Sequence, residues 1–417
     1  MKYTKILILV TIFFTLFSCF NDSEILISDE KSTHNDLNQI DLPLNIPVYS
    51  NNELIIQYKQ GISNFQKNRL RAYFEIIDFE ICKSCNGLIE KWTFYSNINL
   101  EHKKASIKGE DDGAGPEGIL NVDNEFNFKF ERESNQSRVG SLLPSYHSKI
   151  ASNDGPVIAV FDSGIDYNFS GFSSSFLYDA NSRSPQYYPS QSGWNFIANN
   201  DDFYDDFYIQ HGTKVSFIIN KTLDSLNIPH QILPVKVSGS NGRASYFRIL
   251  CGLCFIDQKA DIAQLSLGWY SDASAPINSI FINKLVEYTN QILFVTSAGN
   301  NNSDNDDLLH YPSSYPQSNL LAIAAANSTM TDFAYFSNYG VSSVDFLAPG
   351  ENIFFDASTR ISGTSYAAPY VAAIAAKMLY QQGSIPPTQI ENLLINYGTP
   401  MLGLTGTRNT KHNLLIN

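Results

Sequence analysis

A recurring apolar run organises the chain from Pro156 onward. PVIAVFDSG, ILPVKV, DIAQLSLG, ILFVTSAGN and LLAIAAAN hold adjacent apolar residues with little polar alternation. Such runs predict strands covered on both faces, because a strand with one wet face alternates with period two. Stretches near 212–220, 244–257 and 276–290 separate the first four runs and have helical spacing. Strands alternating with helices predict an α/β domain over 156–417, with a mostly parallel sheet and helices on both faces. In such sheets ligands bind beyond the carboxyl ends of the strands. Further on, ISGTSYAAPYVAAIAAKM (361–378) predicts a helix from 365. Ala is the strongest helix former, and Val371, Ile374 and Met378 recur at helical spacing. Pro369 then has to lie in the first turn, where the backbone N–H has no internal partner to lose.

Residues 50–132 follow another pattern. ELIIQYK predicts a strand, SNFQKNRLRAYFE a helix, and FEICKSC with LIEKWTFY two strands about a turn. A helix near 100–108 and a last strand, ILNVDNEFNFKF, complete a small α+β unit in the order β-α-β-β-α-β. Residues 133–155, rich in Ser with Gly and Pro, read as a linker.

The first residues change the picture of where the chain works. Lys2 and Lys5 precede ILILVTIFFTLF (6–17), then Ser18 and Cys19. A short basic segment and a short apolar segment predict an export signal over 1–18, too brief for a comfortable membrane span. Its LFSC ending resembles the bacterial lipoprotein box, which implies lipidation at Cys19, a lipid membrane as partner and a place on the cell envelope. Without lipidation the protein would be secreted. Residues 19–49 are polar, lack a lasting period and read as a tether.

Composition narrows the partners. The chain is 43% hydrophobic, so it can bury a large core, and its net charge of −13 argues against nucleic acid and against an electrostatic hold on anionic lipid. Besides Cys19, the cysteines form two CxxC pairs, Cys82/Cys85 and Cys251/Cys254. Their wide separation departs from the usual spacing of zinc-binding pairs and places them in different domains. Cys251 and Cys254 read as small hydrophobes on a helix, while export would permit a disulfide at the 82–85 turn.

Candidate chemistry gathers at the predicted strand ends. Asp162 ends the first run, Ser266-Leu267-Gly268 the third, and Asn300 the fourth. His211 opens a helix in QHGTKVSFII after the acidic loop NNDDFYDDFYIQ (199–210). Ser365 stands at a helix start, where unpaired N–H groups and the dipole favour negative charge. Taken singly, each residue reads as a cap or turn residue, Ser365 as an N-cap. Jointly, a carboxylate, an imidazole and a hydroxyl in one α/β domain are the parts of an activated nucleophile.

FDSGID, HGT, SLG, SAGN and SGTSYAAP resemble the signature blocks of the subtilisin-like serine proteases, in the order Asp, His, Ser characteristic of subtilisin. FAYFSNYG and VDFLAPG add to the match, which covers about 156–397. The resemblance implies Ser365 as nucleophile, His211 as general base, Asp162 as its orienting carboxylate and Asn300 as oxyanion donor. It implies that Ser266, Leu267, Gly268, Ser297, Ala298 and Gly299 line the cleft for a peptide or protein substrate. No cofactor would be required, and structural calcium is compatible with the family. The chain departs from it at Lys214, Tyr366 and Tyr370, none of which is a charge-bearing catalytic position. The unit 50–132 resembles the family's inhibitory propeptide, which implies a zymogen in which the N-terminal domain is an intramolecular inhibitor, cut within 132–155.

Alternatives stay open. The unit 50–132 could be a permanent accessory domain. The acidic loop reads as a solvated loop, as a selector of basic substrate residues through Asp205 or Asp206, or as a calcium site. The whole could be a catalytically silent peptide-binding surface protein, or a dedicated maturation protease for one exported peptide.

Overall fold

The computed structural model describes residues 45–109, 115–129, 146–172, 175–180, 191–270, 278–383, 385–401 and 408–416. The export signal, Cys19 and most of the tether and linker lie outside the described residues. Among those described, no helix is long and apolar enough to cross a membrane.

The N-terminal unit is built as its pattern predicts. Strands β1 (Val48–Tyr58), β2 (Asp78–Ile81), β3 (Ile89–Thr93) and β4 (Ile119–Lys129) alternate with α1 (Asn64–Tyr73) and α2 (Leu100–Lys108). Ser63 and Gln66 close a capping box at α1, satisfying two N–H groups that the helix leaves orphaned. The sheet is antiparallel, and its two faces bury different partners. Leu54, Ile56 and Tyr58 of β1 pack with Trp92, Phe74 and Ile107 in a local core. Ile55 points the other way, with Phe126 and Phe128 of β4, into the larger core of the downstream domain.

That domain centres on a nine-stranded sheet. Its strands are β5 (Val157–Asp162), β6 (Trp194–Asn195), β7 (Gln231–Lys236), β9 (Ile262–Leu265), β11 (Leu293–Ser297), β13 (Leu320–Ala326), β14 (Phe346–Pro349), β17 (Thr399–Pro400) and β18 (Leu414–Leu415). They lie in the order β17-β18-β14-β13-β11-β9-β5-β7-β6, and only the β17–β18 pair is antiparallel. Helices α3 (His211–Ser225) and α6 (Thr364–Gln382) share one face, and α4 (Tyr246–Phe255) and α5 (Ser279–Glu287) share the other. The strand β5 shows why the run is continuous: Ile158 and Val160 enter one core, while Val157, Ala159 and Phe161 enter the other. A last helix, α7 (Pro387–Tyr397), packs beside α6. Short strands β10 (Trp269–Tyr270) with β12 (His310–Tyr311), and β15 (Ile353–Phe354) with β16 (Arg360–Ile361), form two ribbons.

The remaining strand, β8 (Arg243–Ser245), pairs antiparallel with β4 and becomes the edge of the N-terminal sheet. One sheet therefore runs from the N-terminal unit into the α/β domain.

Two readings are corrected here. The CxxC pairs do not sit apart: disulfides join Cys82 to Cys251 and Cys85 to Cys254. Cys251 and Cys254 are therefore not free hydrophobes, and no bond closes the 82–85 turn. Pro369 lies in the second turn of α6 rather than the first. Its missing N–H frees the carbonyl of Ser365 four residues back, and the Ser266 hydroxyl donates to that carbonyl at 2.7 Å.

Candidate active site

Asp162 is the last residue of β5 and is fully buried. Both its carboxylate oxygens lie 2.9 Å from Nδ1 of His211, the first residue of α3. A carboxylate only accepts, so Nδ1 carries the proton and Nε2 keeps the lone pair. The Ser163 N–H donates to Asp162 Oδ1 at 2.7 Å, and the Gly212 N–H donates to Ser163 Oγ at 3.0 Å. These bonds lock helix start to strand end. Gly212 is required there: a Cβ would stand 2.2 Å from the Gly164 carbonyl oxygen.

The acidic loop holds this junction from behind. Asp205 is buried and accepts from Thr213 N–H at 3.0 Å and Thr213 Oγ at 2.7 Å, capping α3. Burial pushes its carboxyl up to about 6, against the pull of Lys236 and the Thr213 hydrogen bonds. Asp206 pairs with Lys236 at 2.7 Å, and Lys236 also donates to the Ser163 carbonyl. Asp205 therefore does not face solvent or substrate, and Asp206 is engaged by a lysine of the sheet. The reading of a simple solvated loop fails because one carboxylate turns inward to satisfy helix N–H groups.

Ser365 is the second residue of α6, whose cap residue Gly363 has φ of +154°, a conformation few L side chains adopt. Thr364 is the organiser. Its N–H and its hydroxyl both donate to Asn300 Oδ1 at 2.9 Å, and it accepts from Gly299 N–H at 3.1 Å. Because Oδ1 is committed, Asn300 presents its Nδ2 donors on the other side, 3.6 Å from where a Cβ on Gly363 would lie. Ser365 Oγ is turned to the Ser266 carbonyl at 3.4 Å. Gln264 Nε2 donates to Ser266 Oγ at 2.9 Å, completing a chain from buried β9 to the carbonyl of Ser365. The next residue, Tyr366, is buried with its ring 5.6 Å from that of His211. One of the three residues that depart from the family pattern thus packs against the imidazole.

Ser365, Ser266, Leu267, Gly268, Ser297, Gly299 and Asn300 line one cleft of about 990 Å³. Ala298 is excluded from it: the residue is buried, and its carbonyl accepts from Asn305 and Asn338. The N-terminal unit forms another wall, through Asn45, Asn127, Phe128 and Lys129. Asn45 Nδ2 donates to the Gly268 carbonyl at 2.8 Å, and its own carbonyl accepts from Tyr270 N–H at 3.1 Å. Backbone groups suited to an extended peptide are therefore already paired with this chain's own N-terminal segment.

Sequence reasoning missed His310, a buried residue that also lines the cleft. Ser313 Oγ donates to the His310 carbonyl at 2.7 Å, so it accepts from Nδ1–H at 2.8 Å. Nε2 is then the acceptor, and burial lowers the ring to about 3, keeping it neutral. A lone histidine after a loop carries no periodicity, so only the SLG block it packs against could have flagged it. Among the described residues one side-chain cluster has metal-ligand character, Asp345, Glu391 and His412. Lys411 already lies 2.6 Å from Glu391 and 3.5 Å from Asp345, supplying the positive charge that a cation would bring.

A family model described as the subtilase family, peptidase S8, matches residues 153–410. Alkaline serine exoprotease A of Vibrio alginolyticus is 30% identical over 236 residues, covering 54% of this chain and 41% of that protein. The extracellular serine proteinase of Thermus sp. is 33% identical over 200 residues, covering 46% of each. The matched stretch spans less than half the length of these two curated relatives. A crystal structure of a cold-adapted subtilisin-like serine proteinase aligns with a TM-score of 0.47 and 24% identity, over 68% of this chain and 94% of that one.

Proposed function

The chain belongs to the subtilase family of serine proteases, and from that premise we propose that it is an exported serine endopeptidase made as a zymogen. Ser365 Oγ attacks the scissile carbonyl, and His211 Nε2 takes its proton. The tetrahedral intermediate expels the amine, to which His211 returns the proton. Water then hydrolyses the acyl-enzyme by the same steps. Asp162 keeps Nδ1–H as donor, so that Nε2 is the nitrogen that accepts the hydroxyl proton, and it stabilises the imidazolium that forms. Asn300 Nδ2 and the Ser365 backbone N–H receive the developing oxyanion. These side chains supply the whole reaction without a cofactor.

The single observation that carries this reading is the paired commitment of Asp162 to His211 Nδ1 and of Asn300 Oδ1 to Thr364. Each leaves the complementary group, a lone pair and an amide donor, for the reacting centre. Residues 50–132 act as the inhibitor, with Asn127–Lys129 paired to β8 as a bound peptide would be. Cys19 carries the lipid that holds the enzyme at the envelope. Ser365→Ala is expected to abolish peptide hydrolysis, by about 10⁴-fold or more, together with loss of the N-terminal unit from the chain. Full hydrolysis by that variant would refute the reading.

A further inference from the structure

We propose that cutting the chain between its two units does not free the N-terminal unit: the disulfides Cys82–Cys251 and Cys85–Cys254 keep it at the cleft until a dithiol reductant opens both. The consequence for activity rests on the reading of residues 50–132 as the inhibitor.

The pairing follows from two matched turns. Cys82 caps and Cys85 ends a short helical turn after β2, and Cys251 and Cys254 lie one turn apart on α4. Each pair presents its sulfurs in one direction, and the turns meet with Cα separations of 5.6 and 5.1 Å, within the span a disulfide bridges. All four cysteines are buried, and Ser84 Oγ donates to the Cys251 carbonyl at 2.7 Å between them. Each bond joins residues 169 positions apart, one on either side of the expected cut within 132–155. After the cut, these two bonds are the covalent link between the units.

The rest of the interface is noncovalent. Asp123 accepts from the N–H groups of Ser279 and Ile280 at the start of α5 and from the Tyr246 hydroxyl, and Glu125 accepts from Phe247 N–H at the start of α4. Such contacts release a partner on dilution. A covalent tether holds it at an effective concentration on the order of millimolar, so an inhibitor that would dissociate stays bound. One disulfide suffices as a tether, so both must open. In each, a dithiol's thiolate attacks a sulfur and its second thiol closes a ring. Two dithiols are oxidised and four cysteine thiols form, two electrons and two protons per bond.

The test uses the full chain with a recognition sequence for a site-specific protease inserted among residues 133–145, so that the cut does not depend on self-processing. In a Ser365→Ala background, the cut protein is expected to run as one species on a denaturing gel without reductant and as two with it. Two species without reductant would overturn the proposal, whether through bonds within each pair or through thiolates sharing a metal. On native size exclusion at nanomolar concentration, the units are expected to separate after dithiol treatment. A Cys82→Ser/Cys85→Ser double variant, cut in the same way, is expected to separate without it. Co-elution of the double variant would overturn the claim that the disulfides provide retention. With Ser365 intact, hydrolysis by the cut enzyme is expected to rise at least tenfold on reduction or in the double variant. Separation of the units with no hydrolysis in any arm would refute the endopeptidase reading and leave the linkage standing.

Discussion

The two large sheets of this molecule are held in opposite ways. The nine-stranded sheet is closed by apolar side chains on both faces, and α6 crosses it on alanines that are wholly buried. The contact between the N-terminal sheet and the α/β domain mixes aromatic packing with buried carboxyl groups aimed at helix starts. Phe126 stacks on Tyr246 at 4.9 Å, while Asp123 and Glu125 cap α5 and α4 beside it. Apolar closure is permanent, because burying it from water drives folding at every pH. Carboxyl caps are satisfied by helix N–H groups while docked and by water once the surfaces part, so they suit a surface that has to part. On the proposed reading, the difference separates a catalytic scaffold that persists from a covering unit that parts from it once both disulfides are opened.

Perturbing the persistent side should cost catalysis. Asn300→Ala is expected to lower kcat by about 10²–10³ with little change in KM, the usual loss when one oxyanion donor goes. A KM effect alone would reassign Asn300 to substrate binding. Perturbing the removable side should leave kcat alone and weaken docking. Asp123→Ala deletes the bonds that one carboxyl group makes to α5, a combined net loss of about 1.5–3 kcal/mol because bonds to a single group are not additive. After the cut, with Cys82 and Cys85 replaced by serine, the units are then expected to separate at about tenfold to hundredfold higher protein concentration. Unchanged separation on size exclusion would show that the aromatic contact carries the interface by itself.

How far the sequence revealed this division depends on the range of each interaction. The parallel strands were legible because a strand buried on both faces must be apolar throughout, as in VIAVF. The positions of Asp162, His211, Asn300 and Ser365 were legible because they close such runs or open helices. Pro369 misled, since the Ser365 carbonyl that its missing N–H leaves open is satisfied by the Ser266 hydroxyl, just past β9. The acidic run hid the fact that Asp205 turns inward, because inward and outward carboxylates look alike in a sequence. The cysteine pairing was beyond reach for a topological reason: four cysteines allow three connectivities, and only the fold brings the 82–85 turn onto α4. The three-residue strand β8 was too short to read, yet it carries the N-terminal sheet into the α/β domain.

The smallest expected effect is a pH dependence of docking. Burial raises the Glu125 carboxyl to about 8 from an ordinary 4.5, opposed by Lys91, the Phe247 N–H and Ser245, with Glu53 adding to the rise. The docked form therefore holds a proton that the separated form releases between those values. Docking is favoured fully below about 4.5 and weakens as pH rises toward 8, by at most about tenfold per pH unit. Sedimentation of the cut double-serine variant at pH 6 and 7 measures it, and Glu125→Gln is expected to flatten the slope. A slope unchanged in Glu125→Gln would move the titration to another group.

The central claim, that Ser365 is a nucleophile activated by His211 and covered by the N-terminal unit, is tested most directly by labelling with a fluorophosphonate. The cut, reduced enzyme is treated and the adduct mapped by peptide mass spectrometry. A single adduct on Ser365, lost in His211→Ala and much slower in the uncut protein, is the predicted result. No adduct on Ser365, or equal labelling with and without His211, would contradict the account.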